Sequence, residues 1–143
     1  MNHPAPALLA ILAQAGELRR AAAWLQAEAD ARGVPAADTA RLDMCLHEAL
    51  ANIIDHGGLA ADAAVRLQLA VAPQSATLTL VDAGHRFDPT LAAAPARPAT
   101  LEDTLPGGLG LVMIRSHADQ LHYEHRDGCN RLGVTVRWSA ACR

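Results

Sequence analysis

Residues 41–58 read RLDMCLHEALANIIDHGG, and the fold follows from how this run is wound. At about 100° per residue, Leu42, Leu46, Ala49, Leu50 and Ile53 make one apolar stripe, which is the pattern of a helix laid on a core. Glu48, Asn52 and His56 recur every fourth position along the edge of that stripe. Such a row either lines a cleft or is a solvated boundary, with His56 finishing the helix near its negative end; periodicity leaves both readings open. His47-Glu48 begins a His-Glu-x-x-His metalloprotease motif, but position 51 is Ala51 and the motif fails. His47 and His56 fall on opposite helix faces and cannot share a metal.

Upstream, AGELRRAAAWLQAEADAR (15–32) consists of good helix formers and stops at Gly33, with Pro35 beyond, a helix with its stop signal. Asp38 is the expected cap of the second helix, which runs to Gly57-Gly58. Downstream the period changes from helical to alternating. In AAVRLQLAVA, Val65, Leu67, Leu69 and Val71 share one side, Pro73-Gln74-Ser75 is a turn, and TLTLVDA follows; these are antiparallel strands. GLVMIRSHADQ is expected to be helical, and LHYEH and RLGVTVRW are strands joined by the hairpin turn Asp127-Gly128-Cys129-Asn130. Leu132, Val134, Val136 and Trp138 make the last strand one-sided, so one sheet face is core. The expected fold class is α+β: a two-layer sandwich of a mixed, mainly antiparallel sheet with about three helices on one face. The ALLAIL segment (7–12) reads equally as an edge strand or an extra helix.

The chain has 143 residues with no repeat or long linker, so one domain over 1–143 is the economical reading, large enough to bury a core without staples. Half the residues are hydrophobic (51%), yet no run approaches the roughly 18–20 apolar residues of a membrane span. ALLAILAQ lacks the positively charged leader of a secretory signal, and three cysteines without Cys-x-x-Cys spacing indicate neither a disulfide framework nor a zinc clip. A cytoplasmic setting and no membrane contact are expected. A net charge of −3 with one Phe and one Tyr gives no support for direct nucleic-acid binding. All 12 basic residues are arginine. The absence of lysine excludes a P-loop and every Schiff-base mechanism, so phosphates would be met by backbone amides, arginine or a metal.

Two further motifs bear on chemistry. LVDAGHRFDPT runs an apolar strand into Asp82, with Gly84 two residues on. A carboxylate there can accept from an exocyclic amine, or the segment is plain strand-to-loop punctuation. PGGLGLVMIRSHAD sets Gly107, Gly108 and Gly110 before a helix, a ready anion cradle or simply a loop entering a helix. Met113 stands where a dinucleotide fingerprint needs its third glycine.

In order and spacing the motifs resemble the Bergerat-fold ATP-binding superfamily of DNA gyrase, histidine kinases and mismatch-repair ATPases. Within it the chain is similar to the small anti-sigma factor serine/threonine kinases of bacteria. LHEALANIIDHGG matches the N-box Glu-x-x-x-Asn-x-x-x-His, VDAGHRFDP the Asp-x-Gly box, GGLGLVMIRSHAD the glycine-rich box and DGCNRLGVTVRW the final hairpin, over about residues 15–139. The resemblance implies a kinase using ATP and Mg²⁺, with Asn52 holding the metal against the phosphates and Glu48 as general base toward a serine hydroxyl. It implies that Asp82 accepts from the adenine amino group, that Gly84 lets the base approach, and that Gly107, Gly108 and Gly110 form a lid. It leaves His56 without a role. The implied partners are a sigma factor and a small STAS-domain antagonist, and relatives are often homodimers. Arg86 occupies a place where the Asp-x-Gly box commonly has a second glycine; it would contact phosphate or narrow the pocket. Arg115, one turn past the glycines, serves phosphate charge or a surface ion pair. The alternative to a kinase is a non-catalytic nucleotide- or partner-binding module.

Overall fold

A computed structural model describes residues 5–86, 114 and 117–140. The undecided N-terminal segment is a strand, β1 (Ala7–Leu12), followed by a 3-10 turn at Ala15–Glu17, α1 (Leu18–Ala31) and α2 (Ala36–His56). Then come β2 (Ala64–Ala72), β3 (Ser75–Asp82), β4 (Gln120–Arg126) and β5 (Cys129–Arg137). The five strands form one sheet in the order β1-β2-β3-β5-β4. Every described pairing is antiparallel, so the sheet is wholly antiparallel in these residues rather than mixed. The third expected helix falls largely outside the described residues; Ile114 and His117 are helical, with the Ala118 N–H donating to the Ile114 carbonyl at 3.0 Å.

Local chemistry explains the boundaries. After α1, Gly33 takes φ +80, and the Val34 N–H reaches the Ala29 carbonyl while the Gly33 N–H reaches Asp30 (2.9 and 3.2 Å), which is a Schellman stop. The start of α2 differs from expectation. Pro35 is the N-cap with no side-chain cap bond, and Asp38 lies inside the first turn. There it is buried and bonded to Arg41 at 3.1 Å. A proline needs no N–H partner at a helix entrance, and a carboxylate inside the first turn still meets the positive helix end. At the β4–β5 hairpin Asp127 and Gly128 have φ 54 and 76, the two positive values of a type I′ turn. Asp127-Gly128 is therefore the whole turn, and Cys129 and Asn130 belong to β5.

The core lies between the helices and one sheet face. Leu42, Cys45, Leu46, Ala49 and Leu50 of α2 are buried with Val65, Leu67, Leu69, Leu78, Leu80, Val134 and Val136 of the sheet. Ala21, Leu25 and Ala29 of α1 complete it. Each fully buried leucine or valine is worth about 1.5–3 kcal/mol of transfer energy. Arg41 ties the far end of this packing. Its guanidinium donates to the His117 carbonyl at 2.9 Å and to Asp119 at 2.8 Å, and Asp119 accepts the Arg137 N–H. The carboxyl of Asp119 is held below its usual range, first by that backbone bond and then by Arg41. No described helix is long and apolar enough to cross a membrane.

Candidate functional site

The polar edge of α2 and the end of β3 meet. Because α2 lies across the inner sheet face, its last two turns run past the point where β3 leaves the sheet. A cleft opens there. It is lined from α2 by Ala49, Asn52, Ile53 and His56, then by Gly57, Asp82 and His85, and from the remaining elements by Ile114, Tyr123, Asn130 and Leu132.

The floor is fixed by hydrogen bonds around Asp82, which is only 6% exposed. One carboxylate oxygen, Oδ1, accepts the Gly84 N–H at 2.9 Å and the Asn130 side-chain amide at 3.2 Å. Asn130 also donates to the Gly84 and His85 carbonyls at 3.1 and 2.9 Å, and the Tyr123 hydroxyl donates to its Oδ1. No described residue donates to the second oxygen of Asp82, Oδ2. A buried carboxylate oxygen without a donor is costly, and this one belongs to a side chain that lines the cleft. The arrangement suits a ligand that brings an N–H donor.

The loop after β3 is pinned against the end of α2. The His85 N–H donates to the Gly57 carbonyl at 2.8 Å. A Cβ on Gly84 would stand 2.6 Å from that same oxygen, so glycine is what lets the two segments approach.

The structure brings Asn52, His56 and Asp82 to one cleft and puts Gly84 directly behind Asp82. Glu48 is half-buried, about 6 Å up the helix axis from Asn52, and is not one of the lining residues. Arg86 is exposed and is not one of the lining residues. Gly107, Gly108, Gly110 and Arg115 lie outside the described residues. Tyr123 and Asn130 were not singled out in the sequence. The one available signal was the inward parity of Asn130 with Leu132, Val134 and Val136, a polar residue in a core row; its reading as a turn residue hid it.

The side chains fit what the motifs would bind. No described group donates to Oδ2 of Asp82, and the carbonyl oxygen of the half-buried Asn52 amide is a hard donor of the kind Mg²⁺ takes. Among the described residues no three His, Cys, Asp or Glu side chains converge. A magnesium ion held through one protein oxygen and substrate phosphates needs no such cluster.

Comparison with known proteins bears on the fold and the family. Over 95 residues the chain is 38% identical to the serine/threonine-protein kinase BtrW of Bordetella bronchiseptica, covering 66% of this chain and 67% of that protein. The fold is similar to a crystal structure of the RsbU and RsbW domains of a Mycobacterium tuberculosis protein, with TM-score 0.70 and 17% identity over 98% of this chain. The chain spans 34% of that larger one. It is also similar to the SiaB–SiaC complex of Pseudomonas aeruginosa, with TM-score 0.68 and 14% identity, covering 91% of this chain and 88% of that one. At such identities the two structures bear on fold alone. The family model of the histidine kinase-like ATPase domain matches residues 11–137, and with the antiparallel sheet, the helix-edge asparagine and the buried aspartate in one cleft, the chain belongs to that family.

Proposed function

We propose that the protein is an ATP- and Mg²⁺-dependent serine/threonine kinase that acts as an anti-sigma regulatory factor and phosphorylates a small STAS-domain antagonist on serine. The observation that carries the nucleotide part is the buried Asp82 carboxylate, whose Oδ2 has no donor among the described residues while Asn52 lines the same cleft. The 38% identity to a serine/threonine-protein kinase supports the reaction class.

In this reading Oδ2 of Asp82 accepts the exocyclic amine of adenine. Ile53, Ile114 and Leu132 give the ring an apolar enclosure, in which a hydrogen bond counts for more than in water. Asn52 would hold Mg²⁺ against the phosphates through its side-chain carbonyl. When bound, the metal would neutralise charge on the transferring group. Glu48, one turn earlier on the same edge, takes the proton of the attacking serine hydroxyl as its oxygen bonds to the γ-phosphorus and ADP leaves. Gly107, Gly108 and Gly110 cover the phosphates. The reaction demands positioning and charge more than covalent work, so the lack of lysine is no obstacle. A sigma factor as the second partner, homodimer assembly, a cytoplasmic setting and a single domain over 1–143 belong to the same proposal.

The test is a reaction of the purified chain with Mg-ATP and a STAS protein encoded beside it, followed by intact mass. The expected result is one phosphate gained by the antagonist, no gain with Glu48→Gln, and unchanged ATP binding by that variant. Undiminished transfer by Glu48→Gln removes Glu48 as the base. ATP binding without transfer by the wild type favours the non-catalytic module.

A further inference from the structure

β1 is an edge strand of the sheet, and the open side of it is unprotected. Its pairing with β2 puts Ala7 opposite Leu69 and Leu12 opposite Ala64, and one residue further the Ala13 N–H donates to the Ala63 carbonyl at 2.9 Å. Backbone groups alternate in direction along an antiparallel strand, so the odd-numbered residues face β2 and Leu8, Ala10 and Leu12 turn theirs to the open edge. Leu12 is already satisfied: its N–H donates to Glu17 at 3.1 Å and its carbonyl accepts the Gln14 N–H at 2.8 Å. Pro6, at the other end, has no N–H. Between these two stops the N–H and C=O of Leu8 and Ala10 have no partner among the described residues. Leu8 is 72% and Leu12 40% exposed, and they are the exposed large hydrophobics of the described residues. Residues 6–14 carry no charge, which is the usual protection of an edge.

We propose that β1 pairs antiparallel with β1 of a second copy of this chain, about a two-fold axis at Leu9, so that the two sheets become one continuous sheet. The inference rests on the homodimer assembly proposed above and names its surface. Self-complementarity selects a second copy as the occupant, since a two-fold contact must match a patch to itself. With Leu9 facing Leu9 of the second copy, each Leu8 lies opposite an Ala10, and such a pair exchanges both N–H···O bonds. Every open group of the edge is then used. One step further out Leu12 meets Pro6, where a carbonyl already taken faces a residue without an N–H. Moving the axis to Leu8 would set Ala10 against Pro6, and moving it to Ala10 would set Leu8 against the satisfied Leu12; either leaves open groups unpaired. The axis stands normal to the sheet, so the helices of both copies share one face. On the other face Leu8, Ala10 and Leu12 of the two copies join into one apolar strip.

Sedimentation velocity of the full chain, over a series from micromolar to high-micromolar concentration, reads the assembly. Wild type is expected to sediment as a dimer at the upper end. Ala10→Pro removes an outward N–H and no bond to β2, and should be monomeric where wild type is dimeric. If its melting curve shows that it does not fold, Leu8→Lys decides in its place by setting a charge on the strip. Cysteine pairs read the register under mild oxidation, with wild type as the blank for the chain's own thiols. Leu9→Cys should cross-link two copies, because opposed residues that share no hydrogen bond stand about 4.5 Å apart, inside the roughly 4.4–6.8 Å a disulfide spans. Leu12→Cys, about 20 Å from its counterpart in this register, should not. A dimer that persists in Ala10→Pro, or that cross-links through Leu12→Cys and not Leu9→Cys, overturns the β1 pairing while the homodimer stands. A wild type that is monomeric at every concentration removes the homodimer and this surface together, and leaves the kinase reading untouched.

Discussion

Replacing Gly84 with alanine tests the joint between the β3 exit and the end of α2. The added Cβ would lie 2.6 Å from the Gly57 carbonyl oxygen and 2.9 Å from Oδ1 of Asp82, where ordinary contact begins at 3.4 Å. Relief requires the segments to part by about 0.8 Å, the difference between 2.6 and 3.4 Å. The His85 N–H to Gly57 bond, now 2.8 Å, would stretch to about 3.6 Å, past a useful hydrogen bond. Losing it costs about 1 kcal/mol, and forcing a methyl into a filled site adds about 1–3 kcal/mol. The stiffer unfolded chain returns roughly 0.4–1 kcal/mol. The expected net loss is about 2 kcal/mol. Urea unfolding at 25 °C should show it as a midpoint lower by about 1 M, for a slope of roughly 2 kcal/mol per molar. Gly16→Ala is the control, since nothing lies within 4 Å of its Cβ, and should stay within about 0.5 kcal/mol of wild type. A Gly84→Ala midpoint matching that of Gly16→Ala refutes the close approach as the reason for glycine.

Three shorter predictions follow from the same contacts. Asp82→Asn should leave the melting temperature of the ligand-free chain within a few degrees yet abolish the thermal shift given by Mg-ATP, which for a ligand at a hundredfold excess over Kd is about 2.7 kcal/mol; an undiminished shift removes Asp82 from the site. The folded Asp119 carboxyl is held below its unfolded value by the Arg137 N–H and Arg41, so its stabilisation is complete above about pH 4 and fades as pH falls through the lowered folded value. Chemical denaturation should accordingly find Asp119→Asn less stable than wild type at pH 7, with the gap narrowing in acid; a gap independent of pH contradicts the linkage. Burial pushes the Cys45 thiol up to about 11, so under native conditions at pH 7.5 alkylation should modify half-buried Cys129 before Cys45, as peptide mass mapping would show.

The helix that carries Asn52 was legible because its signal is local: residues three and four apart share a face whatever the rest of the chain does. Leu42, Leu46, Ala49 and Leu50 are buried as their spacing requires. The same holds for Val65, Leu67 and Leu69, where alternation alone names the core side. Expectation failed where local signals were balanced or misleading. ALLAIL has no polar residue to betray its period, and pairing with β2, from Ala7 opposite Leu69 to Leu12 opposite Ala64, is what makes it a strand. Asp38 has the right side chain for a cap, but Pro35 already starts the helix and Arg41 already holds the carboxylate.

By itself the sequence determined the helices before Gly33 and Gly57, the alternation of the strands and the positions of Asn52 and Asp82 in recognisable motifs, because each depends on neighbours within a few residues. Only the tertiary structure decided that β3 and β5 are adjacent, which sets Asn130 against Asp82 across 48 residues of chain and draws Tyr123 in from β4. Sheet order and register are non-local properties, fixed by which apolar faces can be buried together, and the polarity of the cleft depends on that register.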